Sequence, residues 1–378
     1  MRILLTGGGT GGHITPLIAV AEELQSIGAV KSIEIELRYF GAPGNYENLL
    51  DAAGINVSKI LGGKLRSYFD PKNIIDIPKF FVSIVQLLYK VFLFMPDVLF
   101  SKGGPGALAT ALVCRFYRIP VIIHDSDSVP GLTNQISGRC AERILISFSS
   151  AAEFFRGDVE LVGNPVRRAL ADGPIDQSAA KTTLGFDATK PLLLFISGSQ
   201  GATRVNDFIL NNLRALLLEF QILHQTGADN FEAVQQEINL LTARWPSEEK
   251  SKYKIIPYFE DDEKENLRTA LSAADIVVSR AGSGSIFEIA AFGKPSILIP
   301  LPEAANDHQV KNAYEYAKSG AAVVLETDNL SLNVFLSEVK KMLYNPEKLK
   351  LMSEAAKKFS RPEAAKTIAE EIIKIGTK

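Results

Sequence analysis

The stretch DIVVSRAGSGSIFEIAAFGKPSILIPLPEAANDHQ, residues 275–309, carries the clearest fold signal in the chain. Ile276–Val278 is a short apolar run typical of a buried parallel strand. Ile286–Phe292 has helical spacing and is followed by Gly293, a common helix-ending residue. Ser296–Pro300 predicts a second buried strand. In such a strand–loop–helix–strand unit the loop lies at the carboxyl end of the first strand, where open α/β sheets bind ligands.

The residues of this loop suit a nucleotide diphosphate. Backbone N–H groups around Ser283, Gly284 and Ser285, together with the positive end of the helix, favour an anion. Glu288 could accept two hydrogen bonds from a ribose diol, and Gln309 could bond a sugar hydroxyl. The alternative is that the two serines only cap the helix and that Glu288 is a solvated acid in its first turn.

The composition restricts the class of protein. A chain of 378 residues with 46% hydrophobic residues predicts two globular domains. The net charge of −2 argues against general nucleic-acid binding. Two cysteines, Cys114 and Cys140, form neither a disulfide framework nor a metal site. The longest apolar stretch, Phe80–Met95, is shorter than the ~20 residues that span a membrane. With no signal peptide in view, we expect a cytoplasmic protein without a spanning segment.

The amino-terminal segment predicts a second ligand loop. Arg2–Thr6 reads as a strand, the glycine-rich sequence of residues 7–12 as a loop, and Ile14–Ile27 as a helix ended by Gly28. The loop is not a phosphate-binding Walker loop, because no Gly-Lys-Ser/Thr follows. His13 lies where the loop meets the helix, whose positive end disfavours imidazolium. A neutral imidazole there could accept a proton from a hydroxyl. The alternative is a histidine that only caps the helix.

Strands and helices continue to alternate, which predicts doubly wound parallel sheets. The predicted strands of the first half are Ile33–Phe40, Ile55–Ile60, Asp97–Ser101 and Pro120–His124, and its helices are Asn45–Ala53 and Ala107–Tyr117. The pattern restarts after Gly163-Asn164-Pro165, with strands Pro191–Ile196, Gln221–Gln225, Tyr253–Pro257 and Ala321–Leu325, and helices Thr203–Leu218, Asp261–Ala273, Glu347–Ser360 and Pro362–Ile375. We therefore expect two Rossmann-like domains facing a central cleft, residues 1–163 and 164–360, with residues 361–378 returning to the first domain.

A predicted helix, Ile77–Met95, differs in character from the others. Its apolar face is wide, and Lys79, Ser83, Gln86 and Lys90 form a narrow polar stripe. Residues 59–102 contain seven lysines or arginines against three aspartates. A basic and strongly apolar helix predicts docking of one of its ends and the loop Lys64–Lys72 on an anionic membrane surface. The alternative is a crossover helix buried against the sheet.

Seven motifs occur in the order found in one known family. They are residues 8–13 (GGTGGH), 163–167 (GNPVR), 198–202 (GSQGA), 224–227 (HQTG), 280–282 (RAG), Glu288, and 307–309 (DHQ). Over residues 1–375 the chain resembles the family 28 glycosyltransferases of peptidoglycan synthesis. The resemblance implies a GT-B fold and transfer of N-acetylglucosamine from its UDP donor to undecaprenyl-pyrophosphoryl-N-acetylmuramoyl-pentapeptide. It also implies inversion at the anomeric carbon without a catalytic metal or other cofactor, at the cytoplasmic face of the membrane.

The resemblance assigns roles to individual residues. His13 is implied as the catalytic base. The implied donor-binding residues are Thr10, Gly11, Gly12, Asp127, Arg167, Ser199, Phe259, Ser283, Gly284, Ser285, Glu288 and Gln309. Among them Ser199 would hold phosphate and Phe259 would lie by the uracil. Residues implied on the acceptor or membrane side are Gly8, Gly9, Lys64, Arg66, Phe81 and Gly104.

One motif departs from the family pattern. Where the family has His-Glu-Gln-Asn, this chain has His124-Asp125-Ser126-Asp127. The carboxylate of Asp127 accepts hydrogen bonds but cannot donate them as an amide does, and it repels a diphosphate unless it is paired or protonated. Two alternatives therefore stay open. One is a related glycosyltransferase that acts on diacylglycerol, and the other is a non-catalytic UDP-sugar-binding subunit.

Overall fold

The computed structural model describes residues 1–61, 73–198, 201–259, 266–301 and 307–378, and for residues 73–78 only the backbone. The chain forms two compact units. Unit 1 consists of Met1–Arg168 together with Arg361–Lys378, and unit 2 consists of Ala169–Ser360.

Unit 1 contains a parallel sheet with the strand order β3-β2-β1-β4-β5-β6-β7. Its strands are β1 (Arg2–Thr6), β2 (Glu36–Gly41), β3 (Asn56–Lys59), β4 (Val98–Ser101), β5 (Val121–Asp125), β6 (Arg143–Ile146) and β7 (Val159–Leu161). Its helices are α1 (Gly11–Lys31), α2 (Glu47–Ala52), α3 (Asn73–Phe94), α4 (Ala107–Phe116), α5 (Leu132–Ser137) and, from the far end of the chain, α15 (Ala364–Gly376). The order reverses between β1 and β4, so the switch point lies where these two strands end.

Unit 2 repeats this design with the strand order β10-β9-β8-β11-β12-β13, also parallel. Its strands are β8 (Leu192–Ile196), β9 (Gln221–Gln225), β10 (Tyr253–Ile256), β11 (Ile276–Ser279), β12 (Ser296–Leu298) and β13 (Ala322–Val324). Its helices are α6 (Gln177–Thr183), α7 (Thr203–Leu217), α8 (Phe231–Leu241), α9 (Ser247–Lys250), α10 (Leu267–Ala273), α11 (Ser283–Ala291), α12 (His308–Lys318), α13 (Leu332–Leu343) and α14 (Pro346–Phe359). Its switch point lies between β8 and β11. The predicted α/β class with two parallel sheets is confirmed.

Both faces of the unit 1 sheet are covered, which explains why its strands are apolar throughout. Ile3 and Leu5 of β1 point into a core shared with α1 and α15, whereas Leu4 points into a core shared with α3 and α4. Ile368 and Ile372 of α15 are fully buried in the first of these cores. The helix at residues 364–376 therefore completes unit 1.

Several predicted boundaries were wrong for physical reasons. Helix α1 starts at Gly11 and runs past Gly28, and it ends at Ser32 in the left-handed region. Gly28 lies inside the helix and does not end it. A Cβ there would lie 2.9 Å from Ile33 O, so this position needs glycine for close packing. Strands β6 and β7 were not predicted, because runs of four and three residues are too short to show a strand pattern. Of the predicted charged helix, α10 covers only its last seven residues, and 260–265 lie outside the described residues.

The polar stripe proposed for α3 is partly wrong. Ser83 is buried and donates to Phe80 O at 2.6 Å, which satisfies its hydroxyl within the helix. The exposed face of α3 is instead largely apolar and includes Phe81, Val85 and Tyr89. Among the described residues, none of the helices combines the length and the apolar character that crossing a bilayer requires.

Candidate active site

His13 lies in the first turn of α1, directly beyond the glycine loop that leaves β1. Thr10 precedes the helix, and its Oγ1 is 2.9 Å from His13 Nδ1. The main chain of Thr10 also accepts from the N–H groups of His13 and Ile14 at 2.9 and 3.0 Å. These contacts fix the orientation of the imidazole relative to the positive end of α1, which starts with Gly11 and Gly12.

A second glycine loop, from β4 to α4, packs directly on the first. Gly104 has φ +86°, and a Cβ there would lie 2.8 Å from Gly8 Cα and 3.3 Å from His13 Nε2. A Cβ at Gly8 would lie 2.9 Å from His13 Nδ1, and one at Gly9 would lie 2.5 Å from Ala42 O. Glycine is therefore required at these positions because two backbones and an imidazole meet there. The structure brings together Gly8, Thr10, His13 and Gly104 at the switch point of unit 1.

The loop from β5 to α5 carries two carboxylates. Asp125 is buried and accepts from Asn134 Nδ2 at 2.8 Å and from the backbone N–H of Asp127 at 3.0 Å. Burial and the neighbouring Asp127 raise the pKa of Asp125 to about 6. A Cβ at Gly103 would lie 2.4 Å from Asn134 Oδ1, so the start of α5 packs on the β4–α4 loop.

Lys102 is buried beside this loop. Its ammonium contacts His124 Nδ1, Ser126 Oγ at 2.5 Å and Asn164 Oδ1 at 3.4 Å. His124 Nε2 is 2.8 Å from Gly163 O, so Nε2 carries the proton and Nδ1 accepts from Lys102. Burial, followed by the charge of Lys102, holds the pKa of His124 well below its usual range. Burial also lowers the pKa of Lys102 to about 7, while Asp125 and Asp127 act to raise it.

In unit 2 the loops that follow β8 and β11 are joined by Arg280. Its guanidinium donates to Gly201 O at 2.8 Å, and burial lowers its pKa. Ser279 donates from Oγ to Ile196 O at 3.1 Å, which connects the same two strand ends. Sequence patterns gave Arg280 no role, although a cation directly after a strand was the available signal.

The amino end of α11 is a candidate anion site. The helix begins at Ser283 and its cap residue is Gly282, so the two serines do not cap it through their side chains. The first helical N–H with a partner in the helix is that of Ile286, which donates to Gly282 O at 3.1 Å. The N–H groups of Ser283, Gly284 and Ser285 precede it and point away from the helix. Apart from the adjoining main chain, none of the described residues has an atom within 4 Å of a Cβ built at Gly282 or Gly284.

Glu288 and Gln309 lie on helices next to this end. Glu288 follows one turn along α11 and is 8% exposed, so it is not the solvated acid of the alternative interpretation. Gln309, in the first turn of α12, is buried and accepts from Leu301 N–H at 3.2 Å. Asn312 of α12 donates to Ala281 O at 3.3 Å, which fixes α12 beside the β11–α11 loop.

The remaining predicted site residues fall in different places. Phe259 is fully buried in the core of unit 2, where its ring packs against other apolar side chains. Arg167 is half-buried in the last residues of unit 1 before residue 169, and Asp127 is also half-buried. Phe81 is 63% exposed on α3. Ser199, Lys64 and Arg66 lie outside the described residues.

Buried hydrogen bonds connect the start of α7 to strands β9 and β10 next to the β8–α7 loop. His224 Nδ1 accepts from Tyr253 Oη at 2.8 Å, and its Nε2 donates to Asn206 Oδ1 at 2.9 Å. Asn206 in turn donates to Thr226 O at 3.1 Å, beside Gly201. Burial lowers the pKa of His224 to about 3, so the imidazole is a neutral structural group.

The fold and the site define a class of protein. Two doubly wound parallel sheets, each with glycine loops at its switch point, are the GT-B fold of nucleotide-sugar-dependent glycosyltransferases. Two sequence profiles match the chain. The glycosyltransferase family 28 N-terminal domain matches residues 3–146, and the family 28 C-terminal domain matches residues 192–368.

Individual relatives agree with these profiles. The chain is 34% identical over 350 residues to the UDP-N-acetylglucosamine–N-acetylmuramyl-(pentapeptide) pyrophosphoryl-undecaprenol N-acetylglucosamine transferase of Clostridium tetani, covering 92% of this chain and 91% of the relative. It is 33% identical to the second such transferase of Bacillus cereus, covering 98% and 99%. The crystal structure of Acinetobacter baumannii MurG superimposes with a TM-score of 0.75 at 26% identity, covering 99% of both chains. The chain therefore belongs to glycosyltransferase family 28, and the resemblance seen in its motifs is confirmed.

Proposed function

We propose that this protein transfers N-acetylglucosamine from UDP-N-acetylglucosamine to the N-acetylmuramoyl-pentapeptide of undecaprenyl-pyrophosphoryl-linked lipid I, forming lipid II. The observation that carries the proposal is the unit 2 switch point. There the open amino end of α11 and the Arg280-linked β8–α7 loop form a site suited to a diphosphate. Relatives with 33–34% identity over nearly the whole chain bear the name of this activity.

Unit 2 is proposed to hold the donor. The N–H groups of Ser283, Gly284 and Ser285 would bind the diphosphate, and Glu288 the ribose diol. Gln309 would contact the sugar, and the main chain near Phe259 the uracil. Ser199 is proposed to bind phosphate, and this proposal rests on its sequence motif alone. As UDP departs, negative charge grows on its phosphate oxygens, and the α11 end and Arg280 supply positive potential there. The proposed reaction accordingly uses no metal ion.

Unit 1 is proposed to hold the acceptor and the base. The acceptor hydroxyl oxygen attacks the anomeric carbon, the bond from that carbon to the UDP oxygen breaks, and the hydroxyl proton passes to His13. Attack from the side opposite UDP inverts the anomeric centre. In the tautomer whose Nδ1–H donates to Thr10 Oγ1, Nε2 of His13 carries no proton and is the proposed proton acceptor. Gly8, Gly9 and Gly104 would let the acceptor diphosphate approach the backbone. Contact with the donor sugar or nucleotide is proposed for a further group of residues, Thr10, Gly11, Gly12, Asp127 and Arg167.

We also propose that unit 1 docks on the cytoplasmic face of the cell membrane. The exposed apolar residues of α3 and α4 adjoin one another through the Phe92–Tyr117 and Phe116–Tyr117 ring contacts. They are Phe81, Val82, Val85, Tyr89, Phe92, Leu93, Leu112 and Phe116. Exposed cations, Lys79, Arg115 and Arg118, accompany them. This combination of a large apolar surface with cations suits an anionic lipid surface.

The direct test is transfer of labelled N-acetylglucosamine by the purified protein to lipid I and, in parallel, to diacylglycerol. We expect transfer to lipid I, and His13→Ala should lower kcat by about 10²–10⁴-fold while UDP affinity, measured by calorimetry, stays unchanged. Transfer to diacylglycerol alone would favour the glycolipid enzyme. UDP binding without turnover on either acceptor would indicate the non-catalytic subunit, and full turnover by His13→Ala would remove the proposed base.

Membrane docking is tested by sedimentation with vesicles. We expect the protein to bind vesicles that contain phosphatidylglycerol more tightly than neutral ones, since exposed cations adjoin the apolar surface. Val85→Asp should abolish binding to both, because it places a charge in the middle of that surface. Leu351→Asp, at an exposed leucine of unit 2, is the matched control. Equal binding by Val85→Asp and wild type would refute the proposed surface.

A further inference from the structure

Lys102 is a buried cation that the proposed reaction does not use. It is 3% exposed and lies directly after β4, two residues before Gly104, which packs on His13. Burying an ammonium is costly unless it is paired and hydrogen-bonded. A buried lysine at a switch point therefore calls for an explanation.

The contacts of Lys102 connect three separate strand ends. Lys102 follows β4, Ser126 follows β5, and Asn164 belongs to the chain that leaves β7. Ser126 also donates to Asn164 Oδ1 at 2.8 Å, so Lys102, Ser126 and Asn164 all contact one another. A lysine side chain thus holds the β5–α5 loop, with its two carboxylates, against the β4–α4 loop.

The acceptors around the Lys102 side chain match the three donors of an ammonium. His124 presents an unprotonated Nδ1, because its Nε2 proton is given to Gly163 O. The hydroxyl proton of Ser126 is given to Asn164, so its oxygen accepts from Lys102. All three neighbours accept, which matches the three N–H donors of an ammonium and leaves no donor for an amine lone pair.

The charge of this ammonium bears on Asp125 and Asp127. Lys102 contacts Ser126, which lies between these two aspartates in the chain, and both carboxylates act to raise the pKa of Lys102. Without a cation, two adjacent carboxylates would repel the diphosphate of an acceptor. With Lys102 charged, the negative charge of the loop is reduced by one unit.

We propose that Lys102 is a positioning residue of the acceptor side of the site, which fixes the β5–α5 loop and offsets the charge of Asp127. This inference rests on the proposed function, because unit 1 is the proposed holder of a pyrophosphate-linked acceptor. It does not place Lys102 in contact with the substrate.

The kinetic test is a double-mutant cycle of Lys102→Met, Asp127→Asn and their combination. Methionine keeps the length of the lysine stem and removes its charge. In the wild-type background, Lys102→Met should raise KM for lipid I by about tenfold or more, with KM for UDP-N-acetylglucosamine changed by less than about threefold. In the Asp127→Asn background the same change should raise the acceptor KM by less than about threefold. Equal effects in the two backgrounds would overturn the inference. Lys31→Met, at an exposed lysine on α1, is the control.

A second measurement needs neither turnover nor the Lys102→Met protein. Titration of the Lys102 amine by NMR of ¹³Cε-labelled lysine should give a lower midpoint in Asp127→Asn than in wild type, because a counter-charge is lost. Asp51→Asn, at an exposed carboxylate of α2, should leave the midpoint unchanged. The same midpoint in all three proteins would refute the charge pairing. A shifted midpoint in a protein that transfers nothing to lipid I would instead overturn the proposed function and retain the pairing.

Discussion

At the scale of single residues, Glu288 has the most specific proposed role. Its carboxylate is buried one turn into α11, whereas Glu347 occupies the first turn of α14 and is exposed. Beside the proposed anion site, a buried acid is expected to serve a ligand hydroxyl, because a carboxylate accepts the two hydrogen bonds that a ribose diol donates.

Glu288→Gln should therefore weaken UDP binding. Loss of charge-assisted hydrogen bonds costs about 1.5–3 kcal/mol, which corresponds to roughly 10- to 150-fold in Kd. Isothermal calorimetry measures this change. Glu347→Gln is the matched control and should bind as wild type does. Wild-type affinity in the Glu288 variant would leave that residue with a purely structural role.

Sequence patterns predicted those site residues whose proposed role follows from their place at the start of a helix. His13 at a loop–helix junction and Ser283 at a helix start are of this kind. Lys102 and Arg280 are different, because their partners are distant in sequence and adjacent only through the strand order. No local pattern indicates that Arg280 reaches Gly201 or that Lys102 reaches Asn164.

At the scale of loops and helices, the packing of the β1–α1 loop on the β4–α4 loop is the feature most sensitive to change. Gly104→Ala should disturb it, since both the positive φ and the 2.8 Å approach to Gly8 oppose a side chain. Gly157→Ala provides a control in the same unit, with positive φ but, in the described part of the chain, no atom of a non-adjacent residue within 4 Å of the added Cβ.

We expect Gly104→Ala to destabilise unit 1 by about 1–3 kcal/mol more than Gly157→Ala, because only the former adds overlap to backbone strain. It should also lower kcat, since the shifted loop displaces His13. Urea unfolding and initial rates of transfer give the two quantities. Equal losses in both variants would mean that the loops can separate without cost.

The same scale shows where sequence reasoning failed for whole elements. Strand β6 has only four residues and β7 only three. Their place in the sheet comes from pairing with neighbours, and a short apolar run does not reveal that. The extent of α1 was missed because glycines were taken as boundaries, although Gly11 and Gly12 lie in its first turn and Gly28 serves contact with residues 33 and 35.

At the scale of the whole molecule, buried histidines make stability depend on pH. The pKa of His224 is about 3 in the folded protein against about 6.5 when exposed, so the unfolded chain takes up the proton first. Its contribution to stability is complete above the unfolded pKa and is lost as the pH falls toward 3. At pH 5 the loss is about 2 kcal/mol. His124 acts in the same direction, whereas Asp125, with its raised pKa, acts in the opposite one.

Comparison of wild type with His224→Gln isolates the contribution of His224 to the pH dependence of stability. The single tryptophan, Trp245, packs against the core of unit 2 that contains Tyr253, so its fluorescence reports on the unit that holds His224. The fall in unfolding free energy between pH 7.5 and 5.0 should be smaller in the variant by about 2 kcal/mol. An identical fall in both proteins would show that His224 is protonated in the folded state.

The return of α15 to unit 1 sets an order for biosynthesis. Unit 2 is one continuous segment, residues 169–360, whereas unit 1 requires residues 364–376 to cover its core. Most of unit 2 is translated before the helix that completes the cover of the unit 1 sheet. The segment translated earliest is therefore the last to mature, and its apolar surface stays open to chaperones throughout translation of unit 2.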